Sequence, residues 1–219
     1  MLIFHLVICH LVDVIEFVRS IVLGCEVLKL NDKDIRSALI SRLVLAGKKP
    51  FSVIEELPVE RGRAIADVVA VYKILHCYEI KSDLDSLQRL ERQVSFYNRS
   101  FQKITIVVTK KYLEKVFQLI PDFWGVIEAY KVSGDVKLRY IRPAGLNDEI
   151  VMEAVLMGLW REELDSVYFG LYGCLPSKGC NKEKIINSIG IKSKSQILKL
   201  YSECMKTRNQ RKSDMMYSK

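Results

Sequence analysis

The sequence has no pair of cysteines at the CxxC spacing, although it contains six cysteines and three histidines. Zinc sites and thiol–disulfide motifs depend on closely spaced ligands of this kind, so the sequence indicates neither class. We interpret the cysteines as free thiols in a reducing compartment, and we therefore predict a cytoplasmic location.

The chain also lacks an uninterrupted apolar run of the roughly 20 residues that a transmembrane helix requires. Residues 1–25 are strongly apolar, but polar and charged side chains interrupt them, which argues against insertion in a bilayer. The interruptions are His5, His10, Asp13, Glu16 and Arg19. No basic residues precede the apolar stretch, as a signal peptide would require. We expect residues 1–30 to be an extra packed helix or an extension upstream of the true start, with no membrane partner.

Low-complexity segments and internal repeats are absent, and the composition (49% hydrophobic, 27% charged) is that of a globular protein. The formal charge of +8 is unevenly placed. Residues 178–219 contain 11 Lys or Arg and 3 acids, so the first 177 residues are neutral. A basic end on a neutral body indicates contact with the phosphates of a nucleic acid, or else a solvated tail.

Hydrophobic periodicity predicts an α/β fold in which a mixed central sheet is flanked by helices. Predicted helices cover residues 32–46, the segment after the Ser82–Asp85 capping-box pattern, and residues 110–120. Predicted strands cover residues 52–59, 64–72, 74–81, 103–109, 124–130 and 135–141. Helices follow at 147–161, in the continuation to residue 169, at 184–189 and at 195–206. The predicted domains are an N-terminal extension (1–30), the α/β core (31–143), a small helical basic appendage (144–206) and a flexible tail (207–219).

Charged residues interrupt two of the predicted strands. Asp67 lies within AIADVVAVY, and Glu79 and Lys81 lie within ILHCYEIKS. Buried charge is costly unless it is paired or coordinates a metal. Glu79 and Lys81 share one strand face, and Asp67 can lie beside Glu79 if the hairpin register allows. Two carboxylates and the Ile80 carbonyl could hold Mg²⁺ or Mn²⁺, which would activate water for phosphodiester hydrolysis.

Polar residues on the helix that follows could complete such a site. Gln93 and Tyr97 are four residues apart and so share a helix face, with Arg89 one turn earlier. Amide, phenol and guanidinium groups together can bind a phosphate or a base. Arg63, in the preceding Arg-Gly-Arg turn, could steer a phosphate or simply be solvated.

Together these motifs resemble the PD-(D/E)XK nuclease superfamily in its RecB-like branch. The resemblance rests on Asp67, on the Glu79-Ile80-Lys81 triplet and on the pair Gln93 and Tyr97, and it covers about residues 32–109. The chain is also similar to uncharacterised bacterial proteins with an EIKSDxDSLxRLxxQ segment. Ala66 departs from the family pattern, which has proline at that position.

The resemblance implies a restriction-endonuclease-like core that hydrolyses DNA with Mg²⁺ or Mn²⁺. The implied catalytic residues are Asp67, Glu79 and Lys81; the implied metal ligands are Glu56, Asp67, Glu79 and Ile80; and the implied substrate-binding or supporting residues are Gln93, Tyr97, Arg89 and Arg63. No spacing rule fixes the upstream acid, for which Glu56 is the first candidate and Glu55 the second.

Three other interpretations remain open at this point. Asp67 could form a buried salt bridge with Lys81 or Arg63, with Glu79 at a sheet edge. The fold could instead be a catalytically silent module that binds nucleic acid or a protein. The chain could also be a subunit of a larger complex in genome defence or repair, with a protein as its partner.

Overall fold

The computed structural model describes residues 29–209, so the residues before and after this range, which include most of the predicted N-terminal extension and tail, lie outside it. The strands are β1 (Ser52–Val59), β2 (Ala64–Val71), β3 (Leu75–Lys81), β4 (Lys103–Thr109), β5 (Gly125–Val132) and β6 (Asp135–Arg142). The helices are α1 (Asp32–Leu45), α2 (Leu90–Ser100), α3 (Leu113–Val116), α4 (Met152–Met157), α5 (Arg161–Tyr172), α6 (Lys182–Gly190) and α7 (Lys194–Lys206). No helix within the described range has both the length and the apolar character needed to cross a bilayer.

The six strands form one mixed sheet whose spatial order is the order of the chain. Strands β1, β2 and β3 form an antiparallel meander. Strands β3, β4 and β5 are parallel to each other, and β6 returns antiparallel to β5 at the edge. The predicted mixed α/β sheet flanked by helices is therefore confirmed.

Helices cover both faces of the sheet. The apolar stripe of α1 (Ile35, Leu39 and Leu43) packs on one face against residues that include Val68 and Ile80. The opposite face is covered by α2 together with the helices that follow residue 150. The apolar side chains of these C-terminal helices pack in the same hydrophobic cluster as those of β1 to β5 and complete the burial of that cluster.

Several predicted helices differ in extent from the observed ones. The helix expected after Ser82 begins only at Leu90, and the Ser82 amide and hydroxyl instead donate to Asp85 in an isolated turn. The helix predicted at 110–120 is reduced to the four residues of α3. The helix predicted from 147 onward is divided into α4 and α5, with Gly158 as the C-cap of α4.

Strand β1 has a kink at Glu56, the only residue of this strand with a positive φ (52°). Buried residues in β1 are Ile54, Leu57 and Val59, so the alternation of buried side chains shifts by one residue at the kink. The pairs Glu55–Val68 and Leu57–Ala66 flank it, which places Glu56 opposite Asp67. The kink therefore lies beside one of the charged strand residues singled out in the sequence.

Candidate functional site

A pocket of about 580 Å³ opens where β2 and β3 separate, between α1, the β1–β2 turn and the start of α2. It brings together nearly all the site residues predicted from the sequence. Those on its lining are Glu56, Arg63, Asp67, Glu79, Ile80, Lys81, Arg89 and Gln93. Tyr97 does not line the pocket but is hydrogen-bonded to Glu79.

The separation of the two strands is fixed by the Asp67 side chain. Pairing between β2 and β3 runs from Val71–Leu75 to Val68–Tyr78 and goes no further. Beyond this point Asp67 Oδ2 accepts a 2.7 Å hydrogen bond from the Ile80 amide. The Asp67 carboxylate thus accepts the hydrogen bond that a carbonyl of a paired strand would accept, so the buried Ile80 amide is satisfied. This bond also holds Asp67 beside Glu79, at the position that would come next in the strand register.

Glu79 is the centre of a closed hydrogen-bond network. Its Oε1 accepts from Lys81 Nζ and from Gln93 Nε2, both at 2.6 Å. Its Oε2 lies 2.7 Å from the Tyr97 hydroxyl, which is also 2.6 Å from the Ile65 carbonyl. Gln93 Oε1 accepts from Lys81 at 3.0 Å. Glu79 and Lys81 are only 1% and 4% exposed, so the network compensates two charges that water does not reach.

The electrostatics of the site favour a neutral Tyr97 and an Asp67 that titrates near neutrality. Burial and the nearby Glu79 charge raise the pKa of Tyr97 far above its ordinary value, so its hydroxyl stays protonated. Burial, followed by the Glu79 charge, raises the pKa of Asp67 to about 7, although the Ile80 amide and Arg36 oppose the shift. The carboxylates of Asp67 and Glu79 repel each other, and a hard divalent cation bound to both would relieve this repulsion.

The upstream acids predicted from the sequence have different environments. Glu56 is exposed, lines the pocket and lies opposite Asp67. Glu55 does not line the pocket, and its carboxylate is instead 3.9 Å from the Arg36 guanidinium. Within residues 29–209 no three His, Cys, Asp or Glu side chains are already arranged as a metal site. The candidate ligand oxygens are those of the Asp67, Glu56 and Glu79 carboxylates and the Ile80 carbonyl, whose residues all line the pocket, and sharing one cation would require them to rearrange.

The salt-bridge alternative predicted that Asp67 pairs with Lys81 or Arg63. In the structure Asp67 pairs with neither residue. Its partner is Arg36 of α1, which sequence reasoning missed. Arg36 Nη1 donates to the Asp67 carbonyl at 2.8 Å, and Nη2 lies 3.4 Å from Asp67 Oδ1. The only signal in the sequence is the i,i+4 spacing of Asp32 and Arg36, which form an ion pair at 3.0 Å.

One wall of the pocket is basic and aromatic. Arg89, Arg92, Gln93 and Phe96 all line it from the start of α2, and the Arg92 guanidinium lies 5.6 Å from the centre of the Phe96 ring. Arg92 and Phe96 were also missed, although their spacing from Arg89 and Gln93 puts them on the same helix face. Such a wall can bind a phosphate through its arginines and stack a base on its ring.

Comparison with known proteins gives a viral relative. Protein cII of Enterobacteria phage P4 is 32% identical over 114 residues, which is 52% of this chain and 43% of that protein. The aligned part thus spans less than half of the relative's length. No solved structure is significantly similar to the chain. The family model described as bacteriophage P4 protein cII matches residues 26–219. The chain therefore belongs to the bacteriophage P4 protein cII family.

Proposed function

We propose that this protein is a metal-dependent nuclease that hydrolyses DNA phosphodiester bonds on a restriction-endonuclease-like core. The observation that carries the proposal is the meeting of Asp67, Glu79 and Lys81 in one pocket, with Gln93 and Tyr97 bonded to Glu79. The sequence motif alone would be compatible with a scattered set of charges. Its convergence on a pocket with an arginine wall supports a site for an anionic substrate.

In the proposed site Asp67, Glu56, Glu79 and the Ile80 carbonyl would hold Mg²⁺ or Mn²⁺, which would supply a water of lowered pKa and neutralise charge on the phosphate. Lys81 would exchange its bond to Glu79 for one to the attacking water or to the oxygen that gains charge. The water oxygen would bond to phosphorus while the bond from phosphorus to the leaving sugar oxygen breaks, and that oxygen would take up a proton. Gln93 and Tyr97 keep donating to Glu79, which preserves the orientation of the carboxylate during this exchange.

The substrate side of the site is assigned to the exposed arginines. Arg63 and Arg89 reach the pocket from the β1–β2 turn and from the start of α2. A guanidinium group can donate two parallel hydrogen bonds to the oxygens of one phosphate. Arg63 and Arg89 would therefore orient the DNA backbone over Asp67 and Glu79. With DNA as the substrate, the location proposed from the sequence is the cytoplasm.

One observation favours a second candidate, a catalytically silent module that binds nucleic acid or a protein, including as a subunit of a defence or repair complex. Both carboxylate oxygens of Glu79 are already occupied by donors from Lys81, Gln93 and Tyr97. A closed network of this kind is stable without a metal, and opening it costs the Lys81–Glu79 bond. The two candidates therefore differ in whether a divalent cation displaces Lys81.

Cleavage of DNA tests the proposal directly. We would incubate linear, circular and single-stranded DNA with Mg²⁺ or Mn²⁺, with an EDTA control, and compare wild type with Asp67→Asn and Lys81→Met. We expect metal-dependent cleavage that both substitutions reduce at least 100-fold. The matched control is Lys137→Met, since Lys137 is half-exposed on β6, away from the pocket.

A folded wild-type protein that binds DNA and cuts none of the three substrates would reject the nuclease. Wild-type activity that survives in Lys81→Met would reject the role given to Lys81. Isothermal titration with Mn²⁺ separates the two candidates, because the silent module predicts the same heats for wild type and Asp67→Asn.

A further inference from the structure

A second cavity, of about 240 Å³, lies on the other side of the β1–β2 turn (Glu60–Gly62). It is enclosed by this turn, the α4–α5 junction and the start of α6. Its lining residues are Pro58, Arg61, Met157, Gly158, Leu159, Trp160, Lys182 and Arg208. The neighbouring turn residues Gly62 and Arg63 line the candidate active site instead. The two cavities therefore both border this turn, and the Cα atoms of Arg61 and Arg63 are at most about 7.6 Å apart.

Three cationic side chains line this second cavity, and two acids, Glu163 and Glu183, lie within 4.0 Å of them in the described part of the chain. Arg208 is ion-paired with buried Glu163. Within residues 29–209, Lys182 Nζ donates to two carbonyls, those of Met157 at 3.1 Å and Leu159 at 2.5 Å, and to no acid. Arg61 is half-exposed, and its nearest acid, Glu183, is 4.0 Å away.

The pKa of Lys182 reflects the same neighbouring charges. Burial is the main cause of the lowered pKa of Lys182, and the charges of Arg61 and Arg208 lower it further, while Glu163 opposes them. The cavity therefore has a net positive character that an anion would balance.

The turn that carries Arg61 is strained and firmly anchored. Glu60 and Arg61 have φ values of 45° and 62°, which is the left-handed region that residues other than glycine rarely adopt. The Glu60 carboxylate is 2% exposed and lies between Arg99 (3.3 Å) and Arg63 (3.9 Å). Strain that the surrounding structure holds in place is concentrated at functional sites, where it positions a side chain.

We propose that the second cavity, with Arg61 and Lys182 as its ligands, binds a backbone phosphate of the nucleic-acid strand whose reacting phosphate lies in the candidate active site. This inference rests on the proposed function for the identity of the strand. Arg61 and Arg63, on opposite sides of the turn, then contact phosphates of one strand. The β1–β2 turn becomes the element that sets the direction of the strand across the protein.

Binding of a fluorescently labelled single-stranded 20-mer, measured by anisotropy in EDTA at several salt concentrations, tests this. Arg61→Gly is expected to weaken binding about 5–10-fold and to reduce the slope of log K against log salt by about 0.7. It should leave Tm unchanged or raise it, because glycine relieves the positive φ. Arg61→Lys keeps the charge and should retain most of the affinity. Ser133→Gly is the control for strain (Ser133 has φ 51°), and Lys137→Gln is the control for charge.

Equal affinity and equal salt slope for Arg61→Gly, Ser133→Gly and Lys137→Gln would overturn the inference, as would an equal loss in Arg61→Lys and Arg61→Gly. Failure of the proposed nuclease function gives a different experimental result from failure of this inference. If wild type does not cut DNA but Arg61→Gly loses binding, the second phosphate site stands and the nuclease falls. If wild type cuts DNA and Arg61→Gly binds normally, the nuclease stands and only this inference fails.

Discussion

At the scale of single residues, removing either partner of the buried Glu79–Lys81 pair leaves the other charge buried and without its partner. Nζ and Oε1 are 2.6 Å apart with almost no exposure to water. Desolvation offsets most of the attraction within such a pair, whereas removal of one charge leaves the other buried and unpaired. The stability of the fold and the chemistry of the site are therefore coupled at these two residues.

We expect Glu79→Gln and Lys81→Met each to lower the free energy of unfolding by about 3 kcal/mol or more, and the double substitution to cost clearly less than the sum. Urea denaturation of the four proteins measures this. The matched control is the exposed pair Asp135 and Lys137, 3.6 Å apart, where Asp135→Asn and Lys137→Met should each cost under about 1 kcal/mol. Additive costs at the buried pair would contradict the coupling.

The raised pKa of Asp67 predicts that the free energy of unfolding falls as pH rises. Its pKa is raised to about 7 in the folded protein, against about 3.9 in an unfolded chain. Between these values the folded state binds more protons than the unfolded state, so the free energy of unfolding decreases with pH. The upper bound of the loss from this group is about 4 kcal/mol between pH 4 and pH 7. Denaturation at several pH values should show a shallower decrease for Asp67→Asn than for wild type; identical slopes would contradict the assignment.

The residues of the site differ in how far the sequence could predict them. Asp67, Glu79 and Lys81 were found because charge in an apolar strand pattern is costly, and Gln93 because of its helical spacing to Tyr97. Arg36 could not be found, since its role depends on where α1 crosses β2 in space. Whether Glu56 is a ligand stays a prediction, because its place in the pocket fixes its position and not its chemistry.

At the scale of elements, β4 and β5 approach each other with no room for a side chain at Gly125. A Cβ there would lie 2.5 Å from Thr105 Oγ1 and 3.0 Å from the Ala144 amide nitrogen. Thr105 cannot easily turn away, because its hydroxyl is held at 2.7 Å by His76 Nε2. The parallel centre of the sheet thus depends on glycine at this position.

Gly125→Ala should lower the free energy of unfolding by about 1–3 kcal/mol, since the added methyl group must displace neighbouring atoms. The control is Gly190→Ala at the end of α6, where nothing lies within 4 Å of the added Cβ. That change should stabilise by about 0.5–1 kcal/mol, as alanine does in a helix. Chemical denaturation measures both, and an equal effect of the two substitutions would contradict the steric account.

The sequence predicted the strands well and several helices poorly, for a physical reason. A strand can be recognised in the sequence as an alternating or continuous apolar run, because the residues of that run are the ones that become buried in the sheet. Residues 83–85 have a helix-start pattern, but tertiary contacts hold them in a turn: Asp83 exchanges hydrogen bonds with Leu30, and Lys111 donates to the Asp83 carbonyl. Contacts between distant residues override a local signal of this kind.

At the scale of the whole molecule, the C-terminal helices close the core that the sheet begins. Ser202 Oγ of α7 donates to the Tyr72 carbonyl at 2.8 Å, across 130 residues of sequence. Arg208 and Glu163 form an ion pair in which the two side chains are 4% and 0% exposed. The chain end and the meander are therefore held in one packing unit.

We expect unfolding to be one cooperative transition, with calorimetric and van't Hoff enthalpies equal. Arg208→Met should lower the temperature of that whole transition, because it leaves Glu163 buried without its partner. Differential scanning calorimetry of both proteins tests this, with Lys206→Met as the control, since Lys206 pairs with half-exposed Glu203. Two separate transitions, of which Arg208→Met moves only one, would show that the C-terminal helices fold independently.

The spatial order of the strands has a consequence for the path of folding. Each strand lies beside its neighbour in sequence, so every strand pair can form before the C-terminal helices are present. The antiparallel pairs β1–β2, β2–β3 and β5–β6 close short loops, whereas the parallel pairs β3–β4 and β4–β5 close the longer segments 82–102 and 110–124. The face that α5, α6 and α7 cover stays uncovered until these helices are made and α7 packs against β1 and β2. A transient species with a formed sheet and one bare apolar face is the natural result, and this exposed face is where self-association would begin during synthesis.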